Sequence, residues 1–166
     1  MKPIWHPSPN FNDRPPLIHP DTVVLHYTDM QSASVSLQRL CDPLSKVSCH
    51  YLIDEDGTIY QLVDLEKRAW HAGVSEWKGR SNVNHFSIGI ELQNPGYEYF
   101  KEHGFWSPYP FLQYQALINL LKVLKKTYPA IVHNTIGHSD VAPERKIDPG
   151  PHFNWDLLEQ EGFKKN

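Results

Sequence analysis

This 166-residue sequence predicts an α/β fold: a single domain with a central mixed β-sheet flanked by helices. Three observations carry the prediction. Short β-branched runs are interleaved with helical stretches, a turn signal joins two neighbouring runs as a hairpin, and neither a G-x-G-x-x-G element nor an internal repeat is present.

Residues 1–20 hold six prolines among Asn, Asp and His, which predicts an extended arm, with Trp5, Phe11 and Leu17 as the residues that would pin it to the body. Residues 21–166 form the domain. Thr22-Val23-Val24-Leu25-His26 reads as a buried strand that delivers His26 at its carboxyl end. From Ser32 to Cys41, Val35, Leu37, Leu40 and Cys41 roughly follow helical spacing, so a short helix is expected. Runs at 47–54 and 58–64 flank Glu55-Asp56-Gly57, a hairpin signal. Phe86 to Leu92 alternates and is β-rich, placing Glu91 near the end of a central strand. The clearest helix spans Phe111 to Thr127: Leu112, Ala116, Leu117, Leu120, Leu121 and Leu124 make one apolar stripe, Lys122, Lys125 and Lys126 favour its carboxyl end, and Pro129 closes it. A last helix from Trp155 to Gln160 follows Asn154, a candidate N-cap.

The bulk chemistry excludes several function classes. A net charge of −3 without a Lys/Arg block argues against nucleic acid as a partner. No apolar run reaches the roughly 20 residues that span a bilayer, so no transmembrane segment is expected. Cys41 and Cys49 make no disulfide framework. The start lacks the apolar core of a secretory signal, so the cytoplasm is the expected compartment, although a chain that had lost an export or lipidation segment would read the same.

Two distant segments carry the chemistry: Leu25-His26-Tyr27-Thr28, and Gly137-His138-Ser139-Asp140 followed by Arg145-Lys146-Ile147-Asp148-Pro149-Gly150-Pro151. Two imidazoles and a carboxylate suit a catalytic zinc, which takes three protein ligands and leaves a position for water. His26 can equally be read as a core histidine bonded to backbone, and ten histidines offer other choices. Gly137 allows a close backbone approach beside His138, and Pro149-Gly150-Pro151 fixes where Asp148 points. Glu91, in an apolar stretch, reads as a general base with a raised pKa or as a surface-facing strand residue. Lys146, two residues before Asp148, would share its side in an extended segment and either stabilise an oxyanion or sit as a solvated charge. His50 and Tyr51 would line the same cleft or support it, and Trp70-His71-Ala72-Gly73 reads as a turn that exposes an aromatic ring and an imidazole.

Read together, these segments resemble the type-2 N-acetylmuramoyl-L-alanine amidases, the zinc family that includes phage amidase-lysozymes and peptidoglycan recognition proteins. The resemblance rests on Val24-Leu25-His26-Tyr27-Thr28, Ser48-Cys49-His50-Tyr51-Leu52-Ile53, Arg68-Ala69-Trp70-His71-Ala72-Gly73, Ser87-Ile88-Gly89-Ile90-Glu91-Leu92, Gly137-His138-Ser139-Asp140-Val141-Ala142-Pro143 and Arg145 to Pro151, in family order from about Pro7 to Trp155. It implies zinc (Zn2+) held by His26, His138 and Asp148, Glu91 as acid/base, Lys146 as oxyanion stabiliser, and cleavage of the amide between N-acetylmuramic acid and L-alanine. Peptidoglycan fragments (muropeptides) or the sacculus would be the partners, contacted by Trp70, His71, Arg80, Asn84, Tyr51 and His50, with Arg80 forking onto a stem-peptide carboxylate. The alternative is a non-catalytic peptidoglycan-binding module of the same fold. Pro7-Ser8-Pro9-Asn10-Phe11-Asn12-Asp13-Arg14-Pro15 is similar to the cytoplasmic anhydromuropeptide-recycling enzymes and to their envelope-anchored relatives, and the short link from His26 to His50 is closer to the envelope type. His85 stands where relatives commonly carry aspartate after asparagine. Oligomeric state is not legible.

Overall fold

The computed structural model describes residues 2–165. In chain order the strands are β1 (Ile4–Trp5), β2 (Phe11–Asp13), β3 (Thr22–Tyr27), β4 (Tyr51–Ile53), β5 (Ile59–Gln61), β6 (Lys67–Ala69), β7 (Glu76–Trp77), β8 (Arg80–Ser81), β9 (Ser87–Leu92) and β10 (Thr135–Gly137). The helices are α1 (Ala33–Cys41), α2 (Gly96–His103), α3 (Phe111–Leu124), α4 (His138–Val141) and α5 (Asp156–Gln160). Six strands form the central sheet in the order β1-β5-β4-β9-β3-β10. The run β4-β9-β3-β10 is parallel and β5 returns antiparallel to β4, so the sheet is mixed.

Period-two alternation gives the sheet two different faces. Val23, Leu25, Ile88, Ile90 and Leu92 point into the larger core, where Leu117, Leu120, Leu121 and Leu124 of α3 cover them. Removing a buried leucine such as Leu121 from this layer costs about 2–5 kcal/mol. The opposite face has Val24 packed with Ala72, Val83, Phe86 and Ile136, and Leu52 packed under Ala33, Leu37 and Leu40 of α1. His26 and Glu91 belong to this second face, so the sheet is covered there by α1 and by loops.

Local chemistry explains the element ends. Ser32 caps α1, its side chain accepting from the Val35 N–H at 3.4 Å. The buried stripe of α1 is Ala33, Ser36, Leu37 and Leu40, whereas Val35, expected inside, is 46% exposed. The hairpin forms as β4 and β5, shorter than the sequence suggested, with Gly57 at φ +85° in the turn. The Asn154 Oδ1 accepts from the Asp156 N–H at 3.1 Å, so it supports the start of α5 from one residue further back than a standard cap. Helix α2, the short β10 and α4 carried no pattern strong enough to predict.

The arm is held differently from expectation. Trp5, Phe11 and Leu17 are 57%, 41% and 94% exposed and pin nothing. Polar groups do the anchoring instead: β1 joins the sheet edge beside β5, the Ser8 hydroxyl donates to the Leu40 carbonyl, and the Asn10 amide donates to the carbonyls of Asp42 and Val47. Arg14 is the deepest anchor. Its guanidinium donates to the carbonyls of Leu65, Asn84, His85 and Ser87 at 2.9–3.1 Å. Burial holds its pKa down at about 10, which leaves it charged at neutral pH.

Arg14→Met strands four carbonyls at once and should lower unfolding free energy by about 3 kcal/mol, measurable by urea denaturation; an unchanged midpoint would refute the anchoring role. Gly89 lies under the His71 ring, and an added Cβ would overlap that ring. Gly89→Ala should therefore cost about 1–3 kcal/mol in the same measurement, while Gly104→Ala, with open space around its Cβ position, should show only the smaller backbone cost of its φ of +78°.

Candidate metal centre and active site

Strand register assembles the site. His26 on β3 is paired with Glu91 on β9, and Gly137 on β10 is paired with Leu25, so His138, the next residue, stands level with His26. Three neighbouring parallel strands thus present His138, His26 and Glu91 at their carboxyl ends, at the roughly 4.8 Å strand spacing. Asp148 arrives from the loop after α4, tied down by the Ser139 N–H donating to its carbonyl at 3.0 Å. Gly137 permits this: a Cβ there would lie 2.8 Å from the Pro149 Cδ. Lys146 is placed by a turn, its N–H bonded to the Ala142 carbonyl, rather than by the extended segment expected from its spacing, and its side chain still reaches the same cleft as Asp148.

His26, His138 and Asp148 are 2%, 3% and 6% exposed, and their ligand atoms face one another. The two Nδ1 atoms are 2.9 Å apart and each lies 3.0 Å from the Asp148 Oδ2. The hydrogen-bond network fixes the tautomer of His138. Its Nε2 lies 3.1 Å from the Ala72 carbonyl, which can only accept, so the proton is on Nε2 and Nδ1 presents a lone pair to a carboxylate. His26 Nδ1 meets the same point, so three ligand atoms converge on one small volume, an arrangement that a divalent cation would satisfy. Tetrahedral zinc would separate such ligands by about 3.3 Å, a few tenths of an ångström from the spacing present. The residues fit the ion.

Support behind the ligands is continuous. His26 Nε2 lies 3.0 Å from His71 Nδ1, and His71 Nε2 lies 3.0 Å from the Ser87 hydroxyl. With His26 donating to His71 and His71 donating to Ser87, His26 also offers a free Nδ1, the arrangement that outer partners impose on metal-binding histidines. Burial, then the nearby His138, holds His26 down at about 4 against the pull of Asp148, so it is neutral at pH 7. Burial alone would raise Asp148, but its close contacts with the His138 and His26 imidazoles hold it well below the usual carboxylate range.

Glu91 lines the cleft floor, and its Oε2 is buried without a hydrogen-bond partner among the described residues. Burial, and next the charge of Asp148, push its pKa well above the usual range, with Lys146 opposing. The cleft has a volume of ≈ 1450 Å³ and runs from the triad between α1 and the loop at 143–148.

Of the predicted contacts, Trp70 and His71 line this cleft, whereas His50, Tyr51, Arg80 and Asn84 do not. The Arg80 fork is taken by Asp21, at 2.8 and 3.0 Å, with the guanidinium 3.7 Å from the Phe86 ring, so it is not presented to a ligand in the cleft. Asn84 is buried as a brace: its Oδ1 accepts from the N–H groups of His71 and Ala72 at 3.2 and 2.8 Å. His50 is fully buried, accepting the Gly89 N–H on Nδ1 and donating from Nε2 to the Lys67 carbonyl, and Tyr51 faces the α3 core. Ser87 and the Ala72 carbonyl were missed in the sequence; the only signal was the Trp-His-Ala-Gly turn, with Gly73 at φ +59°.

A family model described as N-acetylmuramoyl-L-alanine amidase matches residues 14–151. The 1,6-anhydro-N-acetylmuramyl-L-alanine amidase AmpD of Citrobacter freundii is 38% identical, over 90% of this chain and 84% of its own length. The N-acetylmuramoyl-L-alanine amidase AmiD of Escherichia coli is 41% identical over 85% of this chain but only 52% of its own length. A solved structure of AmiD from E. coli in complex with the substrate anhydro-N-acetylmuramic acid-L-Ala-D-gamma-Glu-L-Lys superposes with a TM-score of 0.80 at 34% identity, covering 93% of this chain and 66% of that one. With the mixed sheet, the His-His-Asp triad and the cleft above it, these matches show that the chain belongs to the N-acetylmuramoyl-L-alanine amidase family.

Proposed function

We propose that this protein is a zinc-dependent amidase that cleaves the amide between N-acetylmuramic acid, including its 1,6-anhydro form, and the L-alanine of the stem peptide. The observation that carries the reading is the convergence of His26 Nδ1, His138 Nδ1 and Asp148 Oδ2 within 3.0 Å of one another at the floor of an open cleft. His26, His138 and Asp148 would hold zinc, which when bound polarises a carbonyl and lowers the pKa of water to about 7. A pure binding module of this fold would need neither the triad nor an unpartnered carboxylate beside it.

Glu91 supplies the proton transfer. A carboxylate whose pKa is raised by burial is a stronger proton acceptor once ionised than a free one, so it takes the proton from the attacking water and returns it to the departing alanine nitrogen. Its Oε2 is buried without a hydrogen-bond partner among the described residues, and the residue lines the cleft. Lys146 lines the same space and places a positive charge where the tetrahedral oxyanion develops. Trp70, half-buried on the wall with its indole N–H donating to the Asn12 side chain at 3.0 Å, gives the substrate a fixed aromatic face.

Zinc saturating the triad at about 1000 times its dissociation constant should raise unfolding free energy by about 4 kcal/mol, and a chelator should reverse the shift; equal melting curves with and without zinc would end the metal reading. Glu91→Gln should keep one zinc per chain and cut turnover of anhydromuropeptide by about 100- to 1000-fold. Mass spectrometry of the digest checks the bond cleaved: the product must be the intact peptide beginning at L-alanine, and any shorter peptide would point to a peptidase.

A further inference from the structure

The basic side chains lining the cleft, histidines aside, are Arg39, Arg145 and Lys146. Two of them are committed. Arg145 donates to the carbonyls of Ala72 and Val74, which builds it into the wall. Lys146 shares the triad end of the cleft with Glu91 and Asp148.

Arg39 is different. It lies in the last turn of α1, is exposed, and forms no salt bridge among the described residues, in contrast to Lys67, Arg80, Lys101, Lys122 and Lys165. The inward stripe of α1 is Ala33, Ser36, Leu37 and Leu40; Val35, Gln38 and Arg39, spaced by three and four residues, form its cleft wall. Asp29, Asp42 and Glu144 line the same cleft, yet none of them forms a salt bridge with Arg39 among the described residues. A guanidinium fork is thus held on a helix wall, open to the cleft, without a salt-bridge partner among the described residues.

We propose that Arg39 anchors a free carboxylate of the stem peptide and so seats the peptide along α1, the role that the sequence had assigned to Arg80. This rests on the amidase reading. In a peptide of the form L-Ala-D-γ-Glu-L-Lys, the γ-linkage leaves the glutamate α-carboxylate free, and the terminal residue supplies a second one. Both lie beyond the bond to be cut, and either matches a planar, bidentate guanidinium.

The test uses the zinc-loaded full chain and four synthetic anhydromuramyl tripeptides: both carboxylates free, the glutamate one amidated, the terminal one amidated, and both amidated. Arg39→Gln should raise KM for the free peptide about tenfold with kcat within twofold, and Arg39→Lys should recover part of the loss. Amidating the anchored carboxylate should raise the KM of the unaltered protein by the same factor and leave Arg39→Gln with no further loss, which tells the two carboxylates apart. A role confined to the carboxyl-terminal dipole of α1 would instead lower the melting temperature and leave the peptide series flat. An Arg39→Gln KM equal to that of the unaltered protein, or raised equally for all four peptides, overturns the proposal. If the unaltered protein cleaves none of the peptides, the amidase reading fails on its own, and calorimetric titration with the same four still decides whether Arg39 selects the carboxylate.

Discussion

The structure turns on three ligand atoms that repel one another and are nevertheless brought within 3.0 Å. Two imidazole lone pairs and a carboxylate in a buried pocket are unfavourable company in a low dielectric. They stay together because none is free to leave. His26 lies on β3 and His138 directly follows the end of its parallel neighbour β10, their outer nitrogens are engaged by His71 and the Ala72 carbonyl, and Asp148 is tied by its own carbonyl to the start of α4. The rest of the molecule can be read as the framework that makes this crowding affordable, and a divalent cation bound there would resolve it.

Much of that framework serves indirectly. Gly89 is open because His71 lies on it, and His71 holds His26. Asn84, buried in a short helical turn before β9, braces the backbone of His71 and Ala72, and Ala72 in turn offers its carbonyl to His138. Arg14 of the arm donates to the carbonyls of Asn84 and Ser87, the same residues that brace and bond His71. The proline-rich start of the chain is therefore connected to the ligand shell through three successive contacts, and the family model itself begins at residue 14.

What the sequence made legible follows the strength of each physical signal. β3, β9 and α3 were readable because a strand buried on both faces and a long amphipathic helix leave dense, periodic patterns. The candidate metal triad was readable through family resemblance more than through spacing, since 112 residues separate His26 from His138 and only strand register brings them level. Arg80 is paired instead with Asp21, which lies 59 residues away and gives no local sign. Val35 and Leu40 looked alike as apolar helix residues, yet one faces the cleft and the other the core; the true stripe included Ser36, which a hydrophobicity count passes over. The arm misled in the opposite sense, its aromatics exposed and its small polar residues buried.

The placement of Glu91 follows from the same register that crowds the triad. It is the β9 partner of His26, so any backbone that aligns the two histidine strands with β9 also delivers a carboxylate one strand away, on the same face. In that position its Oε2 is buried without a partner among the described residues. Burial and then the negative Asp148 raise its proton affinity, against the pull of Lys146. Proton affinity at this spot is thus a consequence of strand pairing: the register that brings His26 and His138 level also sets the Glu91 carboxylate beside them.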